Sequence, residues 1–279
     1  MRLGEILKKH SFRFNKKYGQ NFLSDENLLD EIVALSGVSG NECVLEIGCG
    51  AGTLTKALSK KAKFVYGYEI DPSLAPVLGE TLSGVENCEI TFKDIMKESV
   101  AETEKRIGEA YRIVANLPYY ITSPLIMRFI EQSETCTAIV IMVQEEVARR
   151  ILASPGTADY GALTAGINLV ADSERLINVT REKFYPAPEV DSAVVKITFN
   201  RNKYSVADKK LYRSVVRAAF ASRRKTLVNN LVLWLGKSRA DAEKILADCD
   251  LPLLARGETL SSDDFVKLTN YLYERKIGL

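Results

Sequence analysis

The stretch Cys43-Val44-Leu45-Glu46-Ile47-Gly48-Cys49-Gly50-Ala51-Gly52-Thr53 decides the fold, because an apolar run here ends in three closely spaced glycines. The run predicts a buried strand, and Thr53 to Ser59 predict the helix that follows it. Glycines between a strand and a helix let the backbone pass close to a ligand. Position 53 is threonine, so the spacing departs from Gly-x-Gly-x-x-Gly and disfavours a nicotinamide dinucleotide. No phosphate-cradling Gly-x-x-x-x-Gly-Lys-Ser/Thr motif is present either.

Polar side chains follow three further apolar runs. Glu69 follows residues 64–68, Asp94 follows residues 88–92, and Asn116 follows residues 112–115. Because ligands of open parallel sheets bind outside the carboxyl ends of the strands, we expect these residues to line one crevice together with Glu46.

The pattern from residue 40 to 200 alternates short apolar runs with amphipathic stretches, which predicts an α/β domain with a mostly parallel sheet. Further strands are expected at residues 138–143, 176–180 and 192–199. After Asn200 the pattern changes to amphipathic helices, at 206–220, 223–235, about 239–248, and after Ser261 with Asp264 as capping-box partner. We therefore expect three parts: an amino-terminal basic arm with a cofactor-covering segment (1–39), a catalytic domain (40–200) and a small all-helical domain (201–279).

The glycine spacing, with an acid two residues before the first glycine, is typical of proteins that bind S-adenosylmethionine. Gly48 and Gly50 are therefore candidate cofactor contacts. Glu69 offers two carboxylate oxygens for the ribose hydroxyls, and Ile70 beside it could cover the adenine. Asp94 could accept from the adenine amino group, with the Ile95 amide available for a ring nitrogen.

The tetrapeptide Asn116-Leu117-Pro118-Tyr119 is suited to holding an exocyclic amine. Such an amine is a poor nucleophile because its lone pair is delocalised into the ring, so both of its N–H groups must be gripped. Asn116 offers a side-chain carbonyl, and Leu117, kept extended by Pro118, offers a backbone carbonyl. Tyr119 supplies a flat face for the ring. Alone, these four residues would more readily indicate a strand end running into a proline turn.

Charge is segregated along the chain, although the net charge is only +2. Residues 1–20 carry six basic and one acidic residue, residues 21–200 carry sixteen and twenty-six, and residues 201–279 carry sixteen and nine. A polyanion would be attracted to both ends, and the acidic middle suits a positively charged small ligand. For the carboxyl-terminal segment there is a second interpretation, in which its lysines and arginines only keep exposed helices solvated.

Cysteine and histidine usage limits the chemistry. The five cysteines are scattered without a Cys-x-x-Cys pair, which argues against a disulfide framework and a zinc site. His10 is the only histidine and lies in a polar segment, so neither an imidazole base nor a metal site is expected. The amino terminus has no apolar run, so we expect no membrane anchor and a cytoplasmic protein.

Several motifs together resemble the rRNA adenine N6,N6-dimethyltransferase family, and most closely its bacterial small-subunit (16S) branch. The resemblance covers nearly the whole chain. The motifs are Tyr18 to Leu23, Glu46 to Gly52, Glu69-Ile70-Asp71, Asp94-Ile95, Asn116 to Tyr119, Phe184 to Ser192, and Ser222-Arg223-Arg224-Lys225-Thr226-Leu227.

The resemblance implies a Rossmann-like methyltransferase fold with a seven-stranded sheet, in which Ser192 to Phe199 is the antiparallel seventh strand. It implies that the loop from Gln20 to Leu23 covers the cofactor, with Asn21 and Leu23 as contacts beside Gly48, Glu69, Asp94 and Asn116. It also implies that Phe184 packs on the target adenine opposite Tyr119. The implied substrate is two adjacent adenosines in a 3′-terminal hairpin of small-subunit rRNA, within an immature small ribosomal subunit that a monomer would bind. The expected RNA contacts are Arg213, Arg217, Arg223, Arg224 and Lys225, with Arg13, Lys16 and Lys17 as a second set.

Three alternatives remain open at the level of sequence. A large-subunit rRNA dimethyltransferase of the antibiotic-resistance type shares the glycine turn and the Asn-x-Pro-Tyr site, although the Ser222 to Leu227 stretch and the long arm favour the small-subunit enzyme. A DNA adenine methyltransferase uses a similar tetrapeptide, but no separate DNA-recognition region is evident. A mainly non-catalytic ribosome assembly factor would predict loss of the cofactor acids, whereas Glu69, Asp94 and Asn116 are all present.

Overall fold

The computed structural model describes residues 3–15, 18–118 and 121–278. Their contacts divide the chain into two compact units. The first unit comprises Met1–Ala148 and Glu174–Phe199, and the second comprises Arg149–Ser173 and Asn200–Leu279. Three of the predicted site residues, Lys16, Lys17 and Tyr119, lie outside the described residues.

A seven-stranded sheet has the order β4-β3-β2-β5-β6-β9-β7, and β1 pairs with β8 separately. The strands are β1 (Phe22–Leu23), β2 (Cys43–Ile47), β3 (Phe64–Glu69), β4 (Cys88–Phe92), β5 (Tyr111–Asn116), β6 (Cys136–Gln144), β7 (Ala171–Val179), β8 (Phe184–Tyr185) and β9 (Ser192–Phe199). The pairings from β4 to β6 are parallel, whereas β9 runs antiparallel to β6. The predicted mostly parallel sheet with an antiparallel Ser192–Phe199 strand is therefore confirmed.

Helices follow most of the strands. They are α1 (Leu3–Lys9), α2 (Glu26–Ser36), α3 (Thr53–Ser59), α4 (Ala75–Thr81), α5 (Val100–Ile107), α6 (Thr122–Gln132), α7 (Glu145–Ile151), α8 (Ala162–Asn168), α9 (Lys209–Ala219), α10 (Leu227–Leu235), α11 (Arg239–Asp248) and α12 (Ser262–Glu274). None of these helices, within the described ranges, combines the length and apolarity that a membrane span requires.

The core of the first unit explains why β2 reads as a continuous apolar run. Every residue of Cys43–Ile47 is buried, because β2 lies between β3 and β5 in the middle of the sheet. Parallel strands that are covered on both faces need apolar side chains on both. One face packs against α2 and α3 through Ile32, Leu54 and Leu58. The carboxyl ends of β2, β3, β4 and β5 consequently meet at one edge of the sheet.

The amino-terminal segment packs on the same unit. Leu3, Ile6 and Leu7 of α1 join a buried cluster with Val77 and Leu78 of α4. The cluster also contains Phe22 of β1 and Cys49 and Ala51 of the glycine turn. The segment that precedes β2 is thus anchored beside the turn by apolar contacts.

The second unit is helical and includes a segment from the middle of the chain. Arg149–Ser173, which the sequence analysis assigned to the catalytic domain, packs with α9 to α12. Tyr212 of α9 is fully buried and donates from its hydroxyl to the Ala165 carbonyl of α8 at 3.0 Å. The Tyr160 ring contacts the Phe220 ring at a centroid distance of 5.9 Å. Long-range aromatic contacts of this kind leave no periodic signal in the sequence.

The helix α10, predicted for residues 223–235, begins later than predicted. It starts at Leu227 because the Thr226 side chain caps it by accepting from the Asn229 amide. The expected helical residues 223–226 instead form a turn, closed by the Lys225 amide and the Ser222 carbonyl at 3.0 Å. The predicted capping box at Ser261 and Asp264 is confirmed.

Candidate active site

A cleft of about 300 Å³ lies at the edge where β2, β3, β4 and β5 end, within the first unit. It brings together side chains from five separated stretches of the chain. The predicted site residues that line it are Asn21, Gly48, Gly50, Glu69, Ile70, Asp94, Ile95, Asn116, Leu117 and Pro118. The expectation that successive strand ends supply one crevice holds for Glu69, Asp94 and Asn116.

The cleft has further lining residues to which the sequence analysis gave no individual role. They are Tyr18, Gly19, Gln20, Phe22, Ile47, Tyr68, Lys93, Met96 and Ile121. Four of them are sequence neighbours of predicted residues, and this adjacency could have identified them as lining residues. They are Ile47, Tyr68, Lys93 and Met96. The remaining residues of the amino-terminal segment belong to the Tyr18–Leu23 motif, in which only Asn21 and Leu23 had been assigned as contacts. They are Tyr18, Gly19, Gln20 and Phe22.

The glycine turn requires glycine for steric and conformational reasons. Gly48 and Gly50 have φ values of +77° and +55°, in the left-handed region that side chains disfavour. A Cβ built on Gly50 would lie 2.9 Å from Cε1 of Phe22. The Gly48 amide donates to the Tyr68 carbonyl at 2.8 Å, which ties the turn to the end of β3. Only a residue without a side chain lets Phe22 pack directly on this turn.

The Glu69 carboxylate joins two backbone segments. One oxygen accepts from the Gly50 amide at 2.7 Å, and the other accepts from the Asp71 amide at 2.8 Å. Glu69 is 5% exposed, and burial raises the pKa of its carboxyl, although the backbone hydrogen bonds act in the opposite direction. The carboxylate is therefore oriented by main-chain donors before any ligand enters.

Asp94 has a comparable arrangement at the end of β4. Its Oδ1 accepts from the Met96 amide at 3.0 Å and thereby caps the single helical turn Ile95–Lys97. The described residues make no other hydrogen bond to this carboxylate. Its second oxygen remains available as an acceptor beside the Ile95 amide.

The amino-terminal segment crosses the cleft and contacts Asn116. The Asn116 Nδ2 donates to the Asn21 carbonyl at 3.1 Å, which leaves Oδ1 as the acceptor end of the amide. Gln20 donates from Nε2 to Asp71 at 2.7 Å and accepts from the Asn15 amide at 2.8 Å. The segment is thereby attached both to the strand that carries the tetrapeptide and to the loop after Glu69.

Two residues assigned by resemblance do not line the cleft. Leu23 and Phe184 face each other across the β1–β8 pair and belong to the buried core of the first unit. They are 3% and 5% exposed. The carbonyl of Leu23 accepts from the Thr53 hydroxyl at 2.8 Å, so its backbone is attached to the start of α3. Their expected contacts with cofactor and target base stay predictions.

Glu46 does not line the cleft, contrary to expectation. It is 1% exposed and lines a separate cavity of about 30 Å³, with Asn116 and Gly48 also on its wall. Its Oε2 has no hydrogen-bond partner among the described residues, and burial raises the pKa of the carboxyl to about 8. Neighbouring strand residues point to opposite faces, so Glu46 shares the strand end but not the cleft.

The candidate RNA-binding cations differ in their contacts. Arg223 in the second unit donates to the carbonyls of Ala158 and Tyr160 at 2.7 and 2.9 Å. Arg224 and Lys225 beside it are exposed and have no ion pair with any described residue. Arg217 is exposed and Arg213 is half-buried on α9, and Arg13 is exposed in the first unit. Arg223 thus uses part of its guanidinium to bind the loop that precedes α8.

Comparison with known proteins gives matches along nearly the whole chain. The model of the Ribosomal RNA adenine dimethylase family matches residues 11–271. A protein of Clostridioides difficile strain 630 named Ribosomal RNA small subunit methyltransferase A is 40% identical, over 96% of this chain and 94% of that protein. A protein of the same name from Shouchella clausii is 42% identical, over 98% and 94%.

Solved structures give the same picture for the fold. A dimethyladenosine transferase from Plasmodium falciparum superposes with a TM-score of 0.79 at 26% identity, covering 92% of this chain and 98% of that one. The 23S rRNA methyltransferase ErmE superposes with a TM-score of 0.69 at 28% identity, covering 91% and 100%. Both structures therefore share the fold over more than 90% of this chain.

The buried Glu46 carboxyl predicts a pH-dependent stability. Because its pKa lies near 8 in the folded chain and near 4.5 when exposed, the folded state keeps a proton that the unfolded state has lost. The free energy of unfolding should therefore fall as the pH rises through this window. Glu46→Gln should lose less stability than the wild type between about pH 5 and about pH 9 in denaturant titrations.

Glu86→Gln, at an exposed position of the same unit, controls for the change in charge. Its stability should follow the wild-type pH dependence. Parallel curves for the wild type and Glu46→Gln would contradict the assignment of a raised pKa to this carboxyl.

Proposed function

Because the chain belongs to the ribosomal RNA adenine dimethylase family, we propose that it transfers methyl groups from S-adenosylmethionine to N6 of two adjacent adenosines in a 3′-terminal hairpin of small-subunit rRNA. The product would be N6,N6-dimethyladenosine. The observation that carries this proposal is the similarity, over 94% or more of both chains, to proteins named Ribosomal RNA small subunit methyltransferase A. The cleft supports it with the chemistry of its side chains.

The cleft suits S-adenosylmethionine, which supplies a methyl group on a positively charged sulfur and also carries an ammonium. Glu69, oriented by the Gly50 and Asp71 amides, keeps lone pairs that can accept from two ribose hydroxyls. Asp94 can accept from the adenine amino group through the oxygen that the Met96 amide leaves available. Gly48 and Gly50 present backbone without side chains where the ligand passes. Two buried or half-buried carboxylates also favour a cationic ligand.

The tetrapeptide would hold the target amine. With Nδ2 of Asn116 bound to the Asn21 carbonyl, Oδ1 can accept one N–H of the adenine N6, and the Leu117 carbonyl can accept the other. As N6 attacks, positive charge builds on it, and these fixed acceptors stabilise that charge. Holding N6 close to the methyl carbon and in line with the departing sulfur accounts for much of the remaining rate acceleration.

The target base would leave its RNA context to reach this position. Stacking of the adenine between Tyr119 and Phe184 is the expected contact, and single-stranded bases are commonly held by such aromatic faces. After the first transfer the amine keeps one N–H, so the second transfer needs only one of the two acceptors.

Asn116→Ala should lower kcat about 10²- to 10³-fold, because it removes a fixed acceptor for the developing charge. Methyl transfer from labelled S-adenosylmethionine to immature small subunits measures this. Asn87→Ala is the matched control, since Asn87 is half-buried in the same unit and donates to the Ser59 and Ala62 carbonyls away from the cleft. Undiminished turnover in Asn116→Ala would refute the proposed role.

The choice of substrate separates the alternatives in the same assay. Methylation of immature small subunits but not of naked large-subunit rRNA or duplex DNA is the expected pattern. Preference for large-subunit rRNA would support the antibiotic-resistance type of enzyme, since the 23S rRNA methyltransferase ErmE has a similar fold. Binding of small subunits without methyl transfer would instead indicate an assembly factor.

The second unit offers a surface for the RNA backbone. Arg217, Arg224 and Lys225 are exposed cations of this unit, and lysine and arginine contacts to phosphates dominate nucleic-acid affinity. Arg223 would contribute mainly by holding the backbone of residues 158–160 beside them. Arg13 is a candidate contact in the first unit. We assign the partner as an immature small subunit in the cytoplasm, bound by a monomer.

Arg224→Glu combined with Lys225→Glu should weaken binding to small-subunit rRNA and reduce the salt slope by about two, because two phosphate contacts are lost. Affinity for S-adenosylhomocysteine should not change. Filter binding across a salt series measures the slope, and calorimetry measures the cofactor affinity.

Lys237→Glu combined with Lys244→Glu is the matched control, since it makes the same charge change at exposed positions of the same unit. Equal losses of RNA affinity in both double variants would mean that only net charge matters. Arg223 is left intact in both, because its loss would also free the Ala158 and Tyr160 carbonyls.

A further inference from the structure

Arg128 of α6 is attached to the segment that follows Asp94. Its guanidinium donates to the Ile95 carbonyl at 2.9 Å and to the Glu98 carbonyl. The same group lies 4.0 Å from the Met96 sulfur. Ile95 is the first residue of the single helical turn Ile95–Lys97, and its carbonyl also accepts from the Glu98 amide at 3.3 Å. Glu98 follows the turn directly. One side chain thus binds an acceptor at the start of that turn and another just after its end.

The turn is thereby held at both ends. Asp94 caps its beginning through the Met96 amide, and Arg128 binds the carbonyl of its first residue, Ile95, and that of Glu98 just after it. Asp94, Ile95 and Met96 all line the cleft, whereas Arg128 does not. Any shift of the turn would therefore move the Asp94 carboxylate and the Ile95 amide together.

Arg128 is carried by α6, which is well packed. Leu125, Ile126 and Phe129 are buried, and the helix follows the loop that carries Asn116 and Pro118. A planar guanidinium with fixed donors suits two acceptors better than a single ammonium does. Arg128 thus attaches the turn to a helix that buried apolar side chains hold in place.

The side chain of Glu98 attaches the same segment to Tyr68 and Lys93. Its carboxylate accepts from the Tyr68 hydroxyl at 2.6 Å and pairs with Lys93. These hydrogen bonds, the one from Lys93 first, lower the pKa of the Glu98 carboxyl. Tyr68 and Lys93 both line the cleft. Arg128 links α6 to this segment through two hydrogen bonds.

We propose that Arg128 is a positioning residue for the methyl donor: it fixes the Ile95–Lys97 turn so that Asp94 and the Ile95 amide meet the hydrogen-bonding edge of the adenine. The proposal rests on the cofactor site described under the proposed function. It predicts that Arg128 acts on recognition of the adenine and not on the methyl-transfer step.

Calorimetric titration with two ligands tests this. S-adenosylhomocysteine carries the adenine amino group, whereas S-inosylhomocysteine has an oxygen in its place and a hydrogen on the adjacent ring nitrogen. Arg128→Met should weaken binding of the first ligand about tenfold, since a displaced turn misplaces both hydrogen-bonding groups. It should weaken binding of the second by less than about twofold, because that ligand lacks the groups that couple to the turn. In methylation assays KM for S-adenosylmethionine should rise while kcat at saturation stays unchanged.

Arg112→Met is the matched control. Arg112 is also half-buried in the first unit and donates to a backbone carbonyl, that of Ser36, and to Glu42, but it does not line or contact the cleft. It should leave the affinities for both ligands unchanged, even if the melting temperature falls. Arg128→Lys keeps the charge but has a single ammonium. It should weaken binding of S-adenosylhomocysteine selectively, but by less than Arg128→Met does.

Equal weakening of both ligands, or none, by Arg128→Met would overturn the proposal while leaving the proposed function intact. If Arg128→Met does not fold, the ratio of the two ligands' dissociation constants is measured for Arg128→Lys instead. Weaker binding of S-adenosylhomocysteine alone supports the proposal, and a ratio equal to that of the wild type overturns it. Failure of the wild type to bind S-adenosylhomocysteine would overturn the proposed function and this proposal with it.

Discussion

The arrangement of the site depends on one carboxylate. Glu69 accepts from the Gly50 amide and the Asp71 amide, and so joins the glycine turn after β2 to the loop after β3. Burial of the carboxylate is unfavourable unless its oxygens receive hydrogen bonds, and here two main-chain donors supply them. The Gly48 amide already ties the turn to the end of β3 through the Tyr68 carbonyl, and Glu69 extends this link to the loop that follows β3. With this link, the glycine backbone and the acidic side chain form one wall of the cleft.

The same constraint extends to the amino-terminal segment. Asp71, whose amide Glu69 binds, accepts in turn from Gln20, and Gln20 accepts from the Asn15 amide. On the far side, Asn116 reaches the segment through the Asn21 carbonyl. Glu69 and the candidate base-binding amide of Asn116 are thus connected through the amino-terminal segment by hydrogen bonds. A change in that segment is expected to affect both halves of the reaction.

Sequence sufficed for features that depend on local pattern. The strand ends at Glu69, Asp94 and Asn116 were predictable because apolar runs and parallel topology place carboxyl ends together. The direction in which an individual side chain points was not predictable, since Glu46 stands next to the last residue of β2 yet lines a separate cavity. The contacts of Arg128 and Arg223 were also not predictable, because their partner carbonyls are 30 to 65 residues away in the chain. Nor did periodicity indicate that Arg149–Ser173 packs with the carboxyl-terminal helices.

The most direct test of this account is a crystal structure of the protein with S-adenosylhomocysteine. The account predicts density for the ligand in the cleft, with its ribose hydroxyls on Glu69, its adenine amino group on Asp94, and its sulfur facing Asn116. Density for the ligand elsewhere on the chain, or in the cleft with its adenine away from Asp94, would contradict the central claim that these strand ends build the methyl-donor site.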